Sequence, residues 1–126
     1  MLALRYRRFW IAASGLLLAT VVWGSMQTVI RHDTVQGFDK FEHFGTYLFL
    51  AVWFTGLCRR VRYGAIAAAL LGLGLLMELG QFVMQAGRLG DPYDMAANGA
   101  GVGAGLVLAW LLTGGWAARV EAWLAR

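Results

Sequence analysis

Three residues far apart in the chain, His43, Glu78 and Asp94, have side chains able to do chemistry. An imidazole changes charge near neutrality and carboxylates give or take protons, so together they are candidates for acid–base catalysis. Each has polar companions at helical spacing. Lys40, His43 and Tyr47 fall at i, i+3 and i+7, one face of a helix, with Asp39 just before them. Glu78, Gln81 and Gln85 repeat that spacing, and Asp94 and Asn98 lie one turn apart. Between these stretches Arg88 either balances Asp91 or Asp94, or grips a phosphate or carboxylate on a ligand. Asp39, Lys40, Tyr47, Gln81, Arg88 and Asn98 are therefore candidate ligand-binding residues around the three candidate catalytic ones.

Other chemistries are weakly supported. His43, Glu78 and Asp94 suit zinc or manganese by ligand type, but no H-E-x-x-H spacing accompanies them, so no metal and no cofactor is expected. There is no Ser-His-Asp order, Walker loop or redox cysteine pair, and Cys58 is alone beside Arg59 and Arg60. Asp91-Pro92-Tyr93-Asp94 is a helix start: Asp91 caps it, Pro92 takes the first position, and Asp94 also favours the helix dipole. The glycines at 99, 101, 103 and 105 lie within an apolar helix, where small residues let another backbone approach; they are not a nucleotide loop.

The elements holding these residues read as membrane spans. Of 126 residues, 60% are hydrophobic and 14% charged, more apolar side chain than a soluble core of this size can enclose. The mean hydropathy is +0.60. The expected fold is all-α: one polytopic domain over 1–126, with four transmembrane helices in a compact bundle at about 9–30, 41–58, 63–85 and 92–113. A fifth, short helix with Trp116, Val120 and Trp123 on one face, and Arg119 and Glu121 elsewhere, is expected to lie at the membrane interface with its tryptophans at headgroup level.

Basic residues set the orientation. Arg5, Arg7, Arg8, Arg59, Arg60, Arg62, Arg119 and Arg126 gather on one side, against Arg31, Lys40 and Arg88 on the other. This places both termini in the cytoplasm of a multi-pass inner-membrane protein. The +4 net charge therefore reflects membrane topology, and no nucleic-acid partner is expected. A signal peptide would also explain a basic start and an apolar run, but the first apolar stretch exceeds a usual signal core, which favours an uncleaved helix. All the polar clusters then meet at the extracytoplasmic face, while His32 sits in the outer loop.

The stretches Asp39-Lys40-Phe41-Glu42-His43-Phe44-Gly45-Thr46-Tyr47, Glu78-Leu79-Gly80-Gln81, Arg88, and Asp94-Met95-Ala96-Ala97-Asn98-Gly99-Ala100-Gly101 resemble the VanZ-like family of small bacterial membrane proteins. The likeness spans roughly residues 10 to 113 and lies in the order and spacing of short motifs. That pattern often has a serine where this chain carries Asp91, another capping residue. The resemblance implies a four-helix inner-membrane protein of the cell envelope, in a family linked to resistance to the glycopeptide teicoplanin.

Three functions fit the residues. In the first, an outward polar pocket binds an anionic lipid headgroup, a lipid-linked cell-wall precursor or a glycopeptide antibiotic. The second is an intramembrane enzyme acting on a lipid-linked envelope substrate, with Glu78, Asp94 and His43 as acid–base groups. The third is a structural subunit, in which the polar groups only join helices within a homo-oligomer or a larger membrane complex.

Overall fold

The computed structural model describes residues 1–28, 38–84 and 92–126. Arg31, His32, Gln85, Arg88 and Asp91 lie outside the described residues, and so does the side chain of Asp39. The described chain is helical and shows no strand. Helix α1 spans Arg7–Thr28, α2 Phe38–Leu57, α3 Tyr63–Met84, α4 Pro92–Leu108 and α5 Trp116–Leu124. A 3-10 turn, Arg60–Arg62, leads into α3, and a π-helical turn, Ala109–Thr113, ends α4. These helices begin and end within about three residues of the expected apolar segments and terminal helix.

Three helices, α1, α3 and α4 with its π turn, are long and apolar enough to cross a membrane. Helix α2 is as long, but Lys40, Glu42 and His43 in its first two turns lower its hydropathy. Its remaining course, Tyr47 to Leu57, supplies four of the buried apolar side chains, Tyr47, Leu50, Ala51 and Leu57. Leu16, Trp23, Leu76, Val83, Leu111 and Leu112 are well exposed on the other helices. Apolar groups turned outward in this way suit a lipid surrounding.

Helices α2 and α4 form the tightest pair, and they run in the same direction. At Gly101 an added Cβ would overlap the Phe44 carbonyl oxygen and stand 3.0 Å from the Leu48 nitrogen. One turn on, a Cβ at Gly105 would stand 2.8 Å from the Leu48 carbonyl oxygen and meet the Ala51 Cβ at 2.5 Å. The two glycines therefore let the backbones touch, as small residues do between membrane helices. Leu70 of α3 and Val102 of α4 complete this core, with Leu17, Leu18 and Val21 of α1 packed on its edge. Trp53 Nε1 also donates to Ser14 Oγ of α1 at 2.9 Å.

The opposite end is tied by the chain termini. Leu4, Trp10, Leu57 and Ala117 form a second core. Trp10, Trp53 and Trp116 pack edge-on or tilted at centroid separations of 5.3 to 6.0 Å. The Leu2 amide donates to the Leu57 carbonyl at 2.8 Å. Glu121 of α5 is buried and accepts three hydrogen bonds: from the Arg5 amide at 2.7 Å, the Tyr6 amide at 2.9 Å and Trp10 Nε1 at 2.8 Å. A helix start leaves amides without intrahelical partners, and here a carboxylate from the far end of the chain takes them up.

The two tryptophans expected to share one face of α5 have different surroundings. Trp116 turns inward, and its Nε1 donates to the Val52 carbonyl at 3.1 Å; Trp123 is exposed. The inward turn follows from the acceptor at Val52 and from the space at Gly56, where any Cβ would collide with the Trp116 indole. Arginines cap the same end. The π turn closes with Gly114 donating to the Ala109 carbonyl at 2.9 Å. Arg60 donates to the Trp110 carbonyl at 3.1 Å, and Arg119 to the Gly114 and Leu112 carbonyls at 2.9 and 3.2 Å. Cations at the negative end of a helix are electrostatically favoured.

Candidate functional site

The parallel course of α2 and α4 puts their first turns side by side, and antiparallel α3 brings its last turns to the same place. His43 of α2, Glu78 of α3 and Asp94 of α4 meet there, each offering one ligand-capable atom within 4.8 Å of the others. The convergence expected from chain polarity is therefore present in the fold.

Asn98 organises the cluster. It is 1% exposed, one turn into α4, and its Oδ1 lies 3.0 Å from His43 Nδ1. An amide oxygen only accepts, so Nδ1–H of His43 donates, and Nε2 faces the carboxylates. His43 Nε2 stands 3.8 Å from Asp94 Oδ2, and Lys40 Nζ stands 3.5 Å from Asp94 Oδ1. Asp94 thus receives a cation on one oxygen and the imidazole on the other. Gly74, one turn before Glu78, gives these groups room: a Cβ there would meet Asn98 Nδ2 at 2.9 Å and Tyr47 Oη at 3.2 Å.

Exposure is graded across the site. Glu78 is 6% exposed and the Asp94 side chain 14%, while the side chains of His43 and Lys40 are 22% and 37% exposed. Among the described residues the cluster is buried toward the helix interior and more exposed toward the end of the helices.

Not every candidate belongs to it. Gln81 donates from Nε2 to the Ser25 carbonyl at 3.0 Å, so its amide ties α3 to α1. It lies one turn beyond Glu78, and this bond directs its amide nitrogen to the neighbouring α1. Tyr47 is buried beside Gly74, below the polar groups. Glu121, absent from the candidate list, is a carboxylate whose three hydrogen bonds hold the amino-terminal segment. Burial pushes its carboxyl up. The Tyr6 amide, the Trp10 indole, the Arg5 amide and the Arg5 charge outweigh that and hold it below the ordinary range.

No family model, curated protein or solved structure matches this chain.

Proposed function

We propose that this chain is a multi-pass protein of the bacterial cytoplasmic membrane, with four crossings and both termini in the cytoplasm. In this reading its extracytoplasmic site binds the polar head of an anionic lipid or lipid-linked envelope molecule. One observation carries the reading: a cation, an imidazole and two carboxylates from three helices gather at one end of an otherwise apolar helical assembly. Ionisable groups at such a depth are costly unless they are used. Lys40 at the rim offers a charge-assisted bond to a phosphate, and Asp94 an acceptor for a headgroup hydroxyl or amine. The crossing of α2, too polar at its start to be recognised by hydropathy, is part of this proposal. So is membership of the VanZ-like family, which rests on the motifs around His43, Glu78 and Asp94.

The test is native mass spectrometry of the full chain released from nanodiscs of phosphatidylcholine doped with phosphatidylglycerol. Selective retention of phosphatidylglycerol, reduced in Lys40→Ala, is expected. Equal retention of both lipids, or an unchanged adduct in the variant, overturns the reading.

A second reading is favoured by one specific contact. Asn98 holds His43 with Nε2 aimed at Asp94, the arrangement of an oriented acid–base pair. The protein would then act on the bound lipid as well as hold it. Release of a headgroup fragment by the wild type but not by His43→Gln would establish this; a lipid recovered intact after prolonged incubation would exclude it.

A further inference from the structure

The site brings together three atoms that all carry electron pairs. With Nδ1–H of His43 committed to Asn98, Nε2 of a neutral ring points a lone pair toward Asp94 Oδ2, 3.8 Å away, and a Glu78 carboxylate oxygen lies within 4.8 Å of a His43 ring nitrogen and of an Asp94 oxygen. Two acceptors facing each other at that distance repel unless something positive lies between them. Lys40 Nζ stands 3.5 Å from the other oxygen of Asp94, Oδ1. A metal ion held between these atoms would relieve that repulsion.

We propose that His43, Glu78 and Asp94 form a binding site for a divalent transition metal of the zinc or manganese kind. One imidazole and two carboxylates are a common ligand mixture for such ions, and hard alkaline-earth ions prefer oxygen alone. Ligands at about 2.0–2.2 Å from a shared ion stand roughly 3.0–3.5 Å from each other. Closing from 3.8 Å and from at most 4.8 Å to that spacing needs only small side-chain rotations, with no movement of the helices. Asn98 supplies what metal-bound histidines require, a partner on the other ring nitrogen that fixes the tautomer and the ring plane. The more exposed end of the site gives an ion its path in and leaves coordination positions free for water or a ligand.

The charge balance also links this site to the proposed headgroup. A bound dication would add positive charge beside Lys40, and a phosphate oxygen could then fill a free coordination position. The metal site itself rests on the three ligands alone and stands whether or not a lipid binds.

The experiment measures zinc and manganese binding to the full chain in a neutral detergent, with no envelope lipid present. Isothermal titration with zinc in two buffers of different ionisation enthalpy gives stoichiometry and proton release, and manganese is followed by electron paramagnetic resonance. One ion per chain is expected. Affinity should fall at least 100-fold in His43→Ala and in Asp94→Asn, and about 10- to 100-fold in Asn98→Ala. Asn98→Asp keeps an acceptor for Nδ1–H and should hold affinity near wild type. Size-exclusion elution and far-UV circular dichroism identify variants that remain folded. The manganese signal is a second measure, since a nitrogen ligand is detected directly as hyperfine coupling that His43→Gln abolishes. Absence of binding overturns the proposal. Binding that survives His43→Ala and Asp94→Asn together also overturns it. Because lipid is left out, failure here is distinct from failure of the headgroup reading.

Discussion

Gly101→Ala should damage both the packing and the site, while Gly103→Ala on the same helix should do neither. A Cβ at Gly101 collides with the Phe44 carbonyl oxygen and stands 3.0 and 3.2 Å from the Leu48 nitrogen and the Phe44 carbonyl carbon. All three are backbone atoms, so relief requires α2 and α4 to part by about 1 Å. Overpacking of this kind costs about 1–3 kcal/mol. The same movement stretches the 3.0 Å bond between His43 and Asn98, one turn away, to about 4 Å, beyond hydrogen-bonding range. That loss adds about 1 kcal/mol, and the better helix propensity of alanine returns about 1 kcal/mol. The net destabilisation is about 1–3 kcal/mol. At Gly103 nothing lies within 4 Å of the added carbon, so only the propensity gain remains, about 0.5–1 kcal/mol in favour of the variant. Unfolding by sodium dodecyl sulfate in mixed micelles, followed by far-UV circular dichroism, measures both. Nitrogen-15 resonances of the His43 imidazole report the bond to Asn98. Effects of the same sign at the two positions, or an unchanged imidazole spectrum in Gly101→Ala, refute the reasoning.

A second prediction concerns acid. Glu121 is held below the ordinary carboxylate range in the folded chain, so its contribution is fully present at neutral pH. It is lost as pH falls below the ordinary value of about 4 and through the lower folded one. Thermal unfolding should therefore show an acid loss that Glu121→Gln lacks, while the variant is less stable than wild type at neutral pH; parallel pH profiles would count against it. Topology gives a third: a green fluorescent protein fused after Arg126 should fluoresce, and alkaline phosphatase at the same point should be inactive. The reverse pair of results would invert the orientation and place the site on the cytoplasmic side.

The convergence of His43, Glu78 and Asp94 was legible because it needs only local facts: helical spacing and the alternation of direction from one long helix to the next. The helix bounds were legible for the same reason, with Pro92 opening α4 and apolar runs setting lengths. What escaped depends on contacts between distant residues. Glu121 looked like an exposed acid on a short amphipathic helix, and nothing near it in sequence marks the amides of Arg5 and Tyr6 as its partners. Gln81 shares a helix stripe with Glu78, and spacing alone does not tell which neighbouring helix receives the amide. The inward turn of Trp116 was not legible because an indole suits both a headgroup region and a cavity; the choice was made by Gly56 and the Val52 carbonyl, 60 or more residues earlier. The metal-ligand grouping lacked a motif since its members come from three helices, one each.

The side-by-side, same-direction course of α2 and α4 has a consequence for how the protein is made. Two such helices cannot be neighbours joined by a tight hairpin; the chain must travel back along α3 before α4 can be laid against α2. During synthesis Lys40 and His43 therefore emerge well ahead of Asp94 and Asn98, and their partners arrive only after 50 or more further residues. The contacts of Lys40 with Asp94 and of His43 with Asn98 therefore form only after α4 is released and laid against α2.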